Sequence, residues 1–134
     1  MVHSSIRFHS SIKDAGSEAG EALAGELHTK LIFEHISQEF KNASAPDEEE
    51  GYAWSFGGQF EGVYVTVITS TYEDRMMTLV TSKPLLLRAR AERAVVAVAN
   101  RVAAILRSDG RIQQVVILTP EDESRELEDS REKG

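Results

Sequence analysis

The chain predicts an α+β domain, a two-layer sandwich in the order α-β-β-β-α-β with an acidic C-terminal tail. Three patterns predict it. Apolar side chains alternate with polar ones from Tyr52 to Val67 and change phase once, at Glu61-Gly62, as in an antiparallel hairpin. Two stripes at three- and four-residue spacing, Leu23 to Phe40 and Leu87 to Leu106, flank that hairpin as amphipathic helices.

At the N-terminus His3-Ser4-Ser5-Ile6 repeats as His9-Ser10-Ser11-Ile12, with Val2, Ile6, Phe8 and Ile12 at even positions. Period two suits a short strand or an extended tail, so residues 1–16 are an N-terminal extension, a candidate edge strand, outside a domain of residues 17–118. From 17 to 42 the helical stripe is Leu23, Leu27, Leu31, Ile32, Ile36 and Phe40, with Ser17 as N-cap and Glu18 and Glu21 in the first turn. Gly20 and Gly25 weaken its front half, each by up to about 1 kcal/mol relative to alanine. Pro46 ends it, and Asp47 to Gly51 is expected to be an acidic surface loop.

A two-residue turn at Glu61-Gly62 sets Phe60 opposite Val63, Phe56 opposite Val67 and Trp54 opposite Thr69, so rings and valines share one face. A third strand, about Arg75 to Ser82, continues the meander with Met77 and Leu79 on that face. The opposite face then carries Tyr64, Ile68, Met76 and Val80 among threonines, half-apolar and suited to contact with a partner or a second copy.

Lys83-Pro84 leads to a long helix, 85–107, stopped at Ser108-Asp109-Gly110. Ile112 to Leu118 is the fourth strand, most simply parallel to the third after a crossover, with its place in the sheet left open. Thr119-Pro120-Glu121-Asp122 reads as a helix start, but Leu127 is the one large apolar residue beyond it, so 119–134 is expected to be a flexible acidic tail.

Composition narrows the function. A chain of 134 residues, 41% hydrophobic and 28% charged, can bury a core of its own. The absence of cysteine removes disulfides, thiol nucleophiles and thiolate metal sites. No secretory leader and no run of 18 apolar residues is present, so a cytoplasmic protein with no membrane contact is expected. The net charge of -7 opposes loose attraction to nucleic acid, yet Lys83 to Arg111 holds seven bases against two acids, +5, leaving -12 elsewhere.

That basic helix offers Arg90, Arg93 and Arg101 to phosphate, which makes a nucleic-acid-binding module the first alternative. His28 and His35 sit seven apart without a third ligand, so they read as surface histidines and no metal is expected. Gly-x-Ser-x-Gly, a phosphate loop and a dinucleotide fingerprint are all missing. The expectation is therefore no enzyme and no cofactor, an unpatterned acidic active site being the second alternative.

The order helix, three strands, helix over residues 17 to 118, together with the low isoelectric point, resembles the small acidic chaperones of bacterial secretion systems. This chain departs from them in its longer second helix and the single strand after it. The half-apolar sheet face, unpaired strand edges, acidic surface charge and lack of catalytic signals together lead to the expectation of a non-enzymatic domain of chaperone, immunity or inhibitor type that covers a protein partner. No functional residue is carried over from the resemblance.

Overall fold

The N-terminal repeat is an interior strand. In the computed structural model Val2–Ser10 forms β1, followed by α1 (Glu26–Ile36), β2 (Asp47–Glu49), β3 (Ala53–Phe60), β4 (Val63–Tyr72), β5 (Arg75–Ser82), α2 (Arg88–Arg107) and β6 (Ile112–Ile117). The structure describes residues 1–12, 25–49, 53–72, 75–84, 86–119, 121–125 and 128. The Ser17 cap, the front of the first helical stripe and most of the tail beyond residue 125 lie outside them.

The fold is α+β, but the sheet has six strands, all antiparallel to their neighbours, in the order β2-β3-β4-β5-β1-β6. β6 does run parallel to β5, as a crossover through α2 requires, yet β1 is inserted between them. The expectation of an extension or edge strand at residues 1–16 is thus corrected. Ile6 and Phe8 are fully buried, and a strand with both neighbours occupied satisfies its backbone on both sides. The resemblance in element order does not extend to this strand.

The β3–β4 hairpin has the register its pattern demands, with Phe60 opposite Val63, Phe56 opposite Val67 and Trp54 opposite Thr69. Phe56, Val65 and Val67 face α1 and α2 as the floor of the core, joined by Ile6, Phe8 and Val80. Phe33 and Phe40 meet Phe56 edge-on at centroid distances of 5.2 and 5.8 Å, a geometry aromatic quadrupoles favour. α2 buries Ala91, Ala94, Val95, Val98, Val102 and Leu106 along one stripe, the spacing read from the sequence. It starts at Arg88 and not at 85: Leu87, expected to begin the stripe, takes a left-handed backbone, φ 59°, ahead of the helix and is exposed.

α1 is shorter than the 17–42 expectation. Gly25 precedes it in the left-handed region, φ 97° and ψ -1°, so no continuous helix passes through that residue. A 3-10 turn, Ser37–Glu39, ends it, and Phe40 is already extended. Lys41 pairs with Gln59, and Asp47–Glu49, the expected acidic loop, pairs with β3 as the edge strand β2.

A Cβ at Gly25 would also run into the backbone carbonyl of Thr69. Gly25→Ala is expected to destabilise the domain by about 1–3 kcal/mol in urea unfolding, the range for a non-glycine residue held in a sparsely populated conformation.

Ser10 ties β1 to α1. Its Oγ stands 2.7 Å from Nε2 of His28 and accepts the Ile12 N–H at 3.1 Å. His28 is fully buried and packs on Phe8 at 5.6 Å, so it is a core histidine and the surface reading is corrected; His35 is exposed and donates from Nδ1 to the Leu31 carbonyl.

After α2, Arg111 closes the turn on Asp109 with its N–H, Nε and Nη2 at 2.9, 3.0 and 2.7 Å. These hydrogen bonds, the side-chain ones first, hold the Asp109 carboxyl down from its ordinary value of 3.8 to about 2. A carboxyl lowered by folding adds stability that is complete above its unfolded pKa and is lost as the pH falls through its folded one. The stability difference between wild type and Asp109→Asn should therefore shrink as the pH is lowered from about 3.8 to about 2, in denaturant titrations across that window.

Candidate functional site

α1 and α2 both lie on the face of Phe56, Val67 and Val80. Alternation places the complementary residues on the opposite face, open in that neither α1 nor α2 packs on it: Tyr64, Thr66, Ile68 and Ser70 from β4, Met77, Leu79 and Thr81 from β5, and His3, Ser5, Arg7 and His9 from β1. Tyr64 is 59% exposed, while Ile68, Met77 and Leu79 are half-buried in the pleat. The Tyr64 ring lies across Gly57 on the neighbouring strand, where an added Cβ would stand 2.5 Å from its hydroxyl. A glycine there lets the aromatic ring cover backbone that a side chain would otherwise shield.

Of the four residues expected to form a contact surface, this face gathers Tyr64 and Ile68 and excludes Met76 and Val80. Val80 is fully buried opposite Val67, and Met76, opposite Thr71 and Phe8, packs against the core. Met77 and Leu79, assigned from sequence to the core, take their place. Tyr72 pairs with Arg75 across a two-residue connection, and that length fixes which set of β5 side chains faces inward. With apolar residues at both 76–77 and 79–80, the strand's own pattern fits either face.

The C-terminal segment returns over one end of this face. Thr119 and Asp122 cap each other, the Thr119 N–H donating to Oδ2 of Asp122 and the Asp122 N–H to Oγ1 of Thr119, both at 3.1 Å. The Thr119 backbone N–H is the first cause of a lowered Asp122 pKa, to which the charges of Arg125 and Arg7 add. Residues 121–125 are helical, and Glu123 Oε2 lies 2.9 Å from His3 Nε2 on β1. Part of the expected flexible tail is thus seated on β1 by acid-base contacts.

Both sheet edges are guarded against strand addition. β2 is three residues long and wholly acidic, Asp47-Glu48-Glu49. β6 carries a bulge at Gln114, φ 56°, and the Arg107 guanidinium donates to its Val115 carbonyl at 3.2 Å.

At one end of the face, between the β3–β4 turn, the end of β5 and the first turn of α2, lies a cavity of about 500 Å³. Tyr64, Thr81, Lys83, Leu86, Leu87 and Arg90 are among the residues around it. No sequence signal singled it out, since its walls come from two stretches apart in sequence, within 62–66 and 81–91.

The arginines proposed for nucleic acid are not displayed as a set. Arg101 is held by Glu39 in a two-pronged contact, Nε to Oε1 at 3.1 Å and Nη2 to Oε2 at 2.8 Å, which also raises its pKa. Arg90 stands over Gly62 beside the cavity, and Arg93 is on the outer side of α2. Among the described residues no group of three or more His, Asp or Glu is arranged to hold a metal, and no helix is long and apolar enough to cross a membrane. No family model, no curated protein and no solved structure matches the chain.

Proposed function

We propose that this is a non-enzymatic protein-binding domain, of chaperone, immunity or inhibitor type, that covers its partner with the open face of the sheet. The observation that carries the reading is the one-sided packing: both long helices serve one face, and the other sets Tyr64, Ile68, Met77 and Leu79 among hydroxyl side chains. Surfaces of mixed polarity centred on an exposed tyrosine are the composition that protein interfaces favour. The guarded edges support face-to-face docking over strand addition.

A photo-crosslinking residue at position 68, in the native host, is expected to give one stoichiometric adduct, identified by mass. Tyr64→Asp should reduce that adduct at least tenfold while the domain stays folded, with a small fall in melting temperature from the lost cover over Gly57, because Tyr64 lies outside the core. An adduct with a second copy of this chain would identify the face as a homodimer interface. The absence of any protein adduct would reject the reading.

A further inference from the structure

Four features of the end cavity point the same way. It is concave, at about 500 Å³ within the range of sites that enclose side chains or small ligands. Its walls include two adjacent leucines on the β5–α2 connection that the fold leaves unburied, Leu86 at 83% and Leu87 at 68% exposure, and Tyr64 is also among its lining residues. Its charged members, Lys83 and Arg90, have no ion-pair partner among the described residues, although the chain carries 22 acidic residues. Thr81, also in its lining, holds an Oγ1 that is shielded from solvent and makes no hydrogen bond among the described residues.

The charge runs against the rest of the molecule. Residues 83–93 hold Lys83, Arg88, Arg90 and Arg93 against Glu92, a net +3 in a protein of net -7. Unpaired cations beside exposed aliphatic side chains match an occupant that is itself both acidic and apolar. We infer that the cavity binds an acidic protein segment carrying a large apolar side chain, which enters between Tyr64, Leu86 and Leu87 while flanking carboxylates meet Lys83 and Arg90. A membrane surface would match the same residue types, but it requires leucines that protrude from a convex surface, and these border a hollow. The inference rests on the protein-binding reading and names the chemistry of the partner segment.

The test is a titration of the purified full-length chain with fluorescein-labelled ten-residue peptides, followed by anisotropy and by amide chemical shifts of 15N-labelled protein. The peptides alternate Asp with Leu, Lys with Leu, or Asp with Ser. The expected result is saturable binding of the Asp-Leu peptide alone, with shifts at Gly62, Thr81 and Arg90. Lys83→Glu and Arg90→Glu, both at exposed positions, should each weaken it at least tenfold while the circular dichroism spectrum is unchanged. Leu86→Ser should weaken it without any change in net charge.

Failure of the Asp-Leu peptide to bind would overturn the assignment, as would binding whose shifts fall only on β1 or the outer side of α2. Binding to phosphatidylglycerol vesicles without peptide binding would overturn it in favour of a lipid surface. A failed titration with an intact crosslink at position 68 rejects the cavity assignment alone; loss of both rejects the protein-binding reading.

Discussion

Val80→Asp is expected to abolish the folded state, whereas Leu79→Asp, one residue earlier, leaves the domain folded. Val80 is fully buried, paired with Val67 on one side and Ser4 on the other beneath the helices. A carboxylate there lies within a cluster of apolar side chains and must be buried charged or protonated. A buried carboxyl is shifted up by about 3–5 pKa units, so at pH 7 it is protonated at a cost of about 4 kcal/mol, to which the unmet hydrogen bonds of the acid and the lost valine packing add. The sum is comparable with the ~5–15 kcal/mol by which a domain is stable. At Leu79 the same group points to the open face and stays hydrated, with an expected cost of about 1–2 kcal/mol for lost apolar contact. Urea unfolding followed by circular dichroism measures both. A Leu79→Asp variant less stable than Val80→Asp would show that the inward and outward sets on β5 are reversed.

Phe8→Ala carries the next largest effect. The ring is completely buried, opposite Met76 on β5 and against His28 of α1. Removing a fully packed phenylalanine costs about 3–5 kcal/mol, the lost transfer energy plus the cavity that remains. For a residue in a loose N-terminal extension the cost would be within about 0.5 kcal/mol. The urea midpoint therefore tests directly whether β1 is interior, and a shift too small to measure would put β1 back at the periphery.

Much of the architecture was legible in local pattern. The even-odd phase change at Glu61-Gly62 is a property of adjacent residues, and it fixed the β3–β4 register pair by pair. The stripe from Ala91 to Leu106 did the same for α2, and Thr119 with Asp122 for the cap of the C-terminal turn. Where a segment's neighbours in space are far away in sequence, the pattern ran out. β1 offers Val2, Ile6 and Phe8 at even positions, a weak strand on its own, and becomes interior only because it pairs with both β5 and β6. Gly25 reads as a costly helix residue until its left-handed backbone and the nearby Thr69 carbonyl show that it starts the helix.

The candidate site divides in the same way. Tyr64 and Ile68 could be placed on one face from the hairpin alone, since their strand's inward residues were certain. Met76 and Val80 could not, because β5 is apolar at both parities and the connection to β4 decides its register. The cavity at Lys83 and Arg90 was beyond reach of any linear reading, being made where a turn, a strand end and a helix start converge.

By itself, then, the sequence determined an α+β domain without cysteine, an antiparallel hairpin with rings and valines on one side, and a long amphipathic helix with arginines outside. Each of these follows from periods of two or 3.6 residues, which act over distances the chain spans within one element. Tertiary structure alone decided the rank of β1 in the sheet, the inward set of β5 and the hollow beside α2. These depend on which distant segments pack together, and that is settled by the burial the whole chain can achieve and not by the preference of any one stretch.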